Sequence, residues 1–230
     1  MTGTFKPRLD ILPAAQRRVW PELKGVGDLG YVLYGGTAIA LRLGHRASVD
    51  FDFFTDRPLE RRSLYEALPM LSRSTLLQDT ADTITALLPS GKTKVKVSFC
   101  AGLRIGRVGV PNWTDDGVMQ VASLQDLFAT KLKVLLQRVE AKDYRDVAAI
   151  LDSGADLAAA LATAGALYGR TFQPTECLKA LIYFKDEELR SLSRKTRRSL
   201  VQEVSSVRDL PKVRRSSRAL GATAVRRPRG

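Results

Sequence analysis

Between Tyr31 and Phe53 the chain reads strand, glycine turn, helix and strand again, and this order limits the folds open to it. Tyr31-Val32-Leu33-Tyr34 is apolar and β-prone, which predicts a short strand. Gly35-Gly36-Thr37 ends that strand, and Ala38 to Leu43 reads as a helix leaving the turn directly. From Arg46 to Phe53 the residues alternate. Arg46, Ser48, Asp50 and Asp52 share one parity, while Ala47, Val49, Phe51 and Phe53 share the other. A period of two predicts a strand with one face on a core and a polar opposite face. On such a strand Asp50 and Asp52 project from the same face with Cα atoms about 6.6 Å apart, a geometry that can hold divalent metal. Backbone N–H groups of Gly36 and Thr37 at a helix start would form an anion site suited to phosphate. Taken singly, Asp-x-Asp reads as a solvated edge and Gly-Gly as an ordinary turn; their order in the chain is what gives them weight.

The same reading places a second alternating strand over Lys92 to Phe99, with Lys92, Lys94, Lys96 and Ser98 on one face. An N-terminal helix is expected over Arg8 to Leu23, a helix around Glu60 to Leu68, and shorter strands near Thr75 to Gln78 and Thr83 to Leu88. After Asp115-Asp116-Gly117 the pattern turns helical. Ser123 is the expected N-cap of an amphipathic run through Val139, with Asp126 at N3. Helices follow over about Lys142 to Leu151, Leu157 to Leu167, Thr175 to Phe184 and Glu187 to Val207. The expected organisation is an α/β domain over residues 1–120, a helical domain over 121–210 and a disordered basic tail over 211–230.

Composition removes several classes of chemistry. With a single His and two Cys in 230 residues, a structural zinc module and a disulfide scaffold are excluded. Any metal must sit on oxygen ligands, which points to Mg²⁺ or Mn²⁺. The balance of 44% apolar and 27% charged residues predicts a folded core. No apolar stretch is long enough to span a bilayer, so the expected setting is the cytoplasm, with no membrane and with free thiols. His45 reads as a hydrogen-bonding neighbour rather than a general base, and Cys100 and Cys177 as small core residues.

The residues Gly35-Gly36-Thr37-Ala38, followed by His45-Arg46-x-Ser48-x-Asp50-x-Asp52-Phe53, resemble the first motif of the nucleotidyltransferase AbiEii/AbiGii toxin family, a branch of the DNA polymerase β-like nucleotidyltransferase superfamily. Lys131, Lys133, Arg138 and Lys142-Asp143-Tyr144-Arg145-Asp146 are similar to the family's later motif. The resemblance covers about Tyr31 to Leu151. It implies an α+β fold: a nucleotidyltransferase-type mixed sheet with flanking helices, then a C-terminal helical bundle. It also implies Asp50 and Asp52 as catalytic ligands of Mg²⁺. Gly35, Gly36, Thr37, Arg46, Ser48, Lys131, Lys142 and Asp146 would be nucleotide-binding residues. A solvated helix face remains the plain alternative for Lys131, Arg138, Lys142 and Arg145, and helix N-terminus stabilisation for Asp143 and Asp146. One position departs from the superfamily pattern: Ser98 stands where a third carboxylate is usual, with Asp79 or Asp82 as possible substitutes.

The implied activity is Mg²⁺-dependent transfer of a nucleoside monophosphate from a nucleoside triphosphate to an acceptor hydroxyl. The acceptor would be RNA such as the tRNA acceptor end, and the protein the toxin of a bacterial toxin–antitoxin or phage-defence system with a cognate antitoxin. Because of Ser98, a catalytically degenerate nucleotide- or RNA-binding module stays beside it. The net charge of +13 is unevenly placed. Residues 1–189 hold 24 basic and 22 acidic residues, whereas 190–230 hold 13 basic and two acidic ones, a net of +11. That end of the chain is the expected holder of RNA.

Overall fold

The computed structural model describes residues 3–222. They form two compact units. The first contains residues 3–106, 110–123 and 217–222, and the second contains Arg107–Gly109 and Leu124–Ser216.

The first unit is built on one mixed sheet. Its strands are β1 (Thr4–Phe5), β2 (Val32–Tyr34), β3 (Asp50–Phe54), β4 (Thr75–Asp79), β5 (Thr83–Ser90), β6 (Thr93–Cys100), β7 (Asn112–Thr114) and β8 (Gln120–Val121). They lie in the order β1-β7-β8-β2-β3-β6-β5-β4. Strand β3 runs antiparallel to β2 and parallel to β6, so Asp52 is flanked by Tyr34 on one side and Ser98 on the other. Helices α1 (Ala14–Val19), α2 (Lys24–Asp28), α3 (Gly35–Leu43) and α4 (Arg61–Ala67) accompany the sheet. Phe51, Phe53 and Phe99 are fully buried, with Phe53 and Phe99 stacked at 5.1 Å. Each such ring contributes about 1.5–3 kcal/mol on leaving water, and together they lock the register that turns Asp50 and Asp52 to the opposite face.

The α+β class expected from sequence is the one observed. Four local expectations change, one of them in the helical part, where the helix expected over Glu187 to Val207 is a 3-10 turn at Glu187–Leu189 and a separate helix over Arg194–Ser206. The expected N-terminal helix is broken into a 3-10 turn at Leu9–Ile11, then α1, then a second 3-10 turn at Trp20–Leu23, because Pro13 and Pro21 each remove a backbone donor. The alternating segment from Arg46 becomes a strand only at Asp50. Strand β2 diverts into α3 after Tyr34, and β6 pairs β3 from Asp50 onward, so residues 46–49 have no ladder partner; Val49 is 63% exposed. At the other alternating segment Lys92 falls in the Gly91–Lys92 turn, and β6 starts at Thr93.

The tail also differs from expectation in its described part. Leu220 is fully buried, and its N–H donates to Asp56 Oδ1 at 2.9 Å. The Gln120 side chain both donates to the Ala222 carbonyl and accepts from the Ala222 N–H, each at 2.8 Å. An apolar anchor and three hydrogen bonds hold 217–222 to the first unit despite its basic surroundings. The rest of the expected disordered tail, 223–230, lies outside the described residues.

The second unit is helical, with α5 (Leu124–Leu135), α6 (Ala141–Asp152), α7 (Leu157–Tyr168), α8 (Pro174–Ile182) and α9 (Arg194–Ser206). The buried Asp126 carboxylate accepts the backbone N–H groups of Val108 and Gly109 at 2.9 and 3.1 Å. Helices α5 and α6 are joined by charge. Lys131 Nζ lies 2.6 Å from Asp143 Oδ1 and 2.8 Å from Asp146 Oδ2, and Arg138 Nε lies 2.9 Å from Asp143 Oδ2. Burial pushes the Asp143 carboxyl up, but Arg138 and Lys131 outweigh it and hold the group below its ordinary value. A carboxyl so depressed contributes stability that is full above the unfolded pKa, near 4, and is lost as pH falls through the folded value. Asp143→Asn should therefore cost about 3 kcal/mol at neutral pH. In thermal or urea unfolding the gap from wild type should narrow below about pH 4, where wild type protonates the same carboxyl. A gap constant from pH 7 to 3 would show that the carboxylate charge is not what matters.

Candidate active site

The site is assembled where β2 turns into α3. Gly35 has φ +74°, and a Cβ placed on it would meet Asp52 Oδ2 at 2.3 Å. Glycine is required here twice over: for the left-handed backbone and for the space the carboxylate occupies. The Thr37 hydroxyl donates to the backbone carbonyl of Asp50, so the first turn of α3 is tied to the first residue of β3. Tyr34, the residue before the turn, is buried and stacks on Phe54 at 4.7 Å.

Helix α3 begins at Gly35 with Tyr34 as N-cap residue and no side-chain cap. The first-turn N–H groups of Gly35, Gly36 and Thr37 lack intrahelical acceptors and carry the positive end of the helix dipole. The far end of α3 is pinned. Arg42 donates to the carbonyls of Ala122 and Val121, each at 2.9 Å, and to Asn112 Oδ1 at 3.0 Å, with its guanidinium 4.5 Å from the Phe5 ring centroid. Burial lowers Arg42 to about 10, which still leaves it charged at neutral pH.

Asp50 and Asp52 are half-buried on the open face of β3, with Phe51 and Phe53 on the core face. Lys96 lies opposite Asp50 in register, its Nζ 4.0 Å from Asp50 Oδ2. Ser98 lies opposite Asp52, and Thr85 of β5 lies opposite Ser98. Asp79 sits on the outermost strand paired with Arg61, and Asp82 accepts from Thr80 and Thr83 in the β4–β5 turn. Among the described residues no group of three or more His, Cys, Asp or Glu side chains could hold a metal. Two carboxylates on one face still suit Mg²⁺, which typically takes one or two protein carboxylates and completes its octahedron with water and substrate phosphates. Neither cysteine offers a thiolate at neutral pH: burial and then the Asp52 charge push the Cys100 thiol up, and burial pushes Cys177 to about 12.

The other sequence-stated residues are distributed as follows. Gly35, Gly36 and Thr37 form the turn, while Arg46 and Ser48 lie in the segment just before β3, where Arg46 Nη1 donates to the Ala47 carbonyl. Lys131, Lys142 and Asp146 belong to the second unit. There Lys131 is buried between two carboxylates and Lys142 is paired with Glu140 at 2.7 Å. Two contacts escaped sequence reasoning. The Thr37 to Asp50 hydrogen bond is hidden because Thr37 reads only as a phosphate contact, and the Arg42 pin because a lone arginine in a helix carries no pattern.

The geometry predicts that Gly35→Ala destabilises the protein by about 1–3 kcal/mol, from the strained φ and the clash with Asp52. Asp52→Ala should recover the part of that loss due to the clash, giving a coupling energy of about 1 kcal/mol in a double-mutant cycle read by urea unfolding. Strictly additive effects would mean that the two residues do not press on one another.

Residues 26–219 match the family model described as nucleotidyl transferase AbiEii toxin of a type IV toxin–antitoxin system. The chain is also 31% identical over 179 residues to an uncharacterized protein of Aquifex aeolicus (strain VF5), across 76% of this chain and 84% of that one. The family match takes in the turn, both carboxylates and the whole of the second unit, and on that ground the chain belongs to the AbiEii nucleotidyltransferase toxin family.

Proposed function

We propose that this protein transfers a nucleoside monophosphate from a nucleoside triphosphate to a hydroxyl of RNA, the tRNA acceptor end in the first instance, as the toxin partner of an antitoxin. The observation that carries this reading is the Asp52 carboxylate seated against Gly35 at the start of α3, with Asp50 beside it. Phosphate oxygens at the N–H groups of Gly36 and Thr37 would lie next to the two carboxylates. Mg²⁺ bound by Asp50 and Asp52 would neutralise phosphate charge and lower the pKa of the attacking hydroxyl. In the transfer, the acceptor oxygen loses its proton and bonds to the α-phosphorus. The bond from that phosphorus to the bridging oxygen breaks, and pyrophosphate departs. Thr37 fixes Asp50, Gly35 admits Asp52, and Arg42 holds the helix whose N–H groups receive the phosphates.

Ser98 beside Asp52 and Lys96 beside Asp50 support a second reading, a nucleotide- or RNA-binding module without turnover. Incubation with each α-labelled nucleoside triphosphate, Mg²⁺ and total RNA separates the two. Label should enter RNA, and Asp50→Ala/Asp52→Ala should reduce transfer by about 10²- to 10³-fold, the rate equivalent of several kcal/mol. Equal incorporation by the variant, or none by either protein, would defeat the enzymatic reading. Growth of an expressing culture gives the same contrast: toxicity that survives Asp52→Asn would favour sequestration.

The C-terminal cations are assigned to RNA in this reading. Truncation must spare Leu220, because a cut after Asp209 would remove a core residue along with the charge. Deletion after Ala222 removes eight residues whose charged members are Arg226, Arg227 and Arg229. It should weaken RNA binding and flatten its dependence on salt while leaving nucleotide affinity unchanged.

A further inference from the structure

The open face of the sheet does not end at the two aspartates. Strand β6 turns Val95, Val97 and Phe99 into the core and leaves Lys94, Lys96 and Ser98 on the same face as Asp50 and Asp52. Lys96 is level with Asp50, Lys94 is one same-face step further, and Lys92 occupies the hairpin turn beyond, next to the closing pair Ser90 and Thr93. Same-face steps along a strand are about 6.6 Å, so Lys94 lies about that far beyond Lys96, with Lys92 in the turn that follows.

The surroundings make this row cationic. Lys94 Nζ donates to Thr75 Oγ1 at 3.0 Å, a neutral partner that leaves its charge uncompensated. The acidic side chains of this part of the sheet lie elsewhere: Asp79 is engaged by Arg61, and Asp82 lies in the β4–β5 turn at the opposite end of β5. Asp50 is the one carboxylate in register with the row, and bound Mg²⁺ would neutralise it. Lys94 lies one same-face step beyond Lys96, on the side away from Ser98 and Asp52, and continues the positive charge that begins beside Asp50. A ligand with recurring negative charge complements such a row.

We infer that Lys94 and Lys92 form a track for the acceptor strand, receiving backbone phosphates of single-stranded RNA whose terminal hydroxyl lies at Asp50 and Asp52. This rests on the transfer reading above for the identity of the strand and adds where it lies. The track belongs to the first unit and is distinct from the basic C-terminal region. Its neutral neighbours on the open face, Thr85 and Gln78, offer hydrogen bonds without opposing charge.

The test is binding of a labelled single-stranded oligoribonucleotide by the full-length protein, followed by fluorescence anisotropy across a KCl series, without nucleotide or Mg²⁺. Each phosphate contact on a single strand contributes about 0.7 to the slope of log affinity against log salt. Lys92→Gln/Lys94→Gln should lower the magnitude of that slope by about 1.4 and weaken binding several-fold at low salt. Lys6→Gln/Lys24→Gln, which removes the same charge from exposed positions of the same unit, should change it little. Both variants should keep the melting temperature of wild type. An unchanged slope in the track variant, or an equal fall in the control, would overturn the track. An equal loss against an acidic peptide, with RNA binding intact, would also overturn it and point to a protein partner. Failure of label transfer with the slope change intact would reject the reaction and leave the track standing.

Discussion

The close approach of the Asp52 carboxylate to Gly35 is the constraint on which the site depends. It needs a residue without a Cβ, a left-handed backbone at the end of β2, and a strand beside it whose register turns Asp52 outward. Each of these is supplied by a different part of the sequence. The glycine provides the turn, Phe51 and Phe53 set the register through burial, and β6 supplies the outer partner that keeps β3 in the sheet. The Thr37 bond to the Asp50 carbonyl closes the arrangement, tying the helix start directly to the strand that carries both carboxylates.

The chain departs from a three-carboxylate site in a consistent way. Opposite Asp52 there is Ser98 rather than an acid, and one step along the same face there is Lys96 at 4.0 Å from Asp50. A hydroxyl adds no charge and an ammonium subtracts it, so under the proposed transfer these groups would favour one divalent ion rather than two, with the Lys96 cation available to phosphate. The lysines of β6 on the same face fit the start of an anionic strand's path.

Much of this was legible in the sequence, for particular reasons. The strand, turn and helix around Gly35 were readable because apolar β-prone residues, paired glycines and a helical run follow one another without ambiguity. The parity of Asp50 and Asp52 was readable because two phenylalanines alternate with them. The start of β3 was not: Ala47 and Val49 continue the alternation, yet both are exposed, because pairing partners rather than parity decide where a ladder begins. The basic tail misled for a similar reason. Arg214, Arg215 and Arg218 dominate its composition, but one apolar side chain, Leu220, and the amide of Gln120 suffice to seat it. Lys131 and Asp143 were readable as charged residues on neighbouring helices, while their burial against one another is a tertiary fact.

The most direct measurement of the central claim is a crystal structure of the protein soaked with Mn²⁺ and a non-hydrolysable nucleoside triphosphate, with data collected at the manganese absorption edge. The account predicts an anomalous peak shared by Asp50 and Asp52, with triphosphate oxygens on the N–H groups of Gly36 and Thr37. Manganese away from both carboxylates, or a triphosphate bound elsewhere with the start of α3 empty, would contradict it.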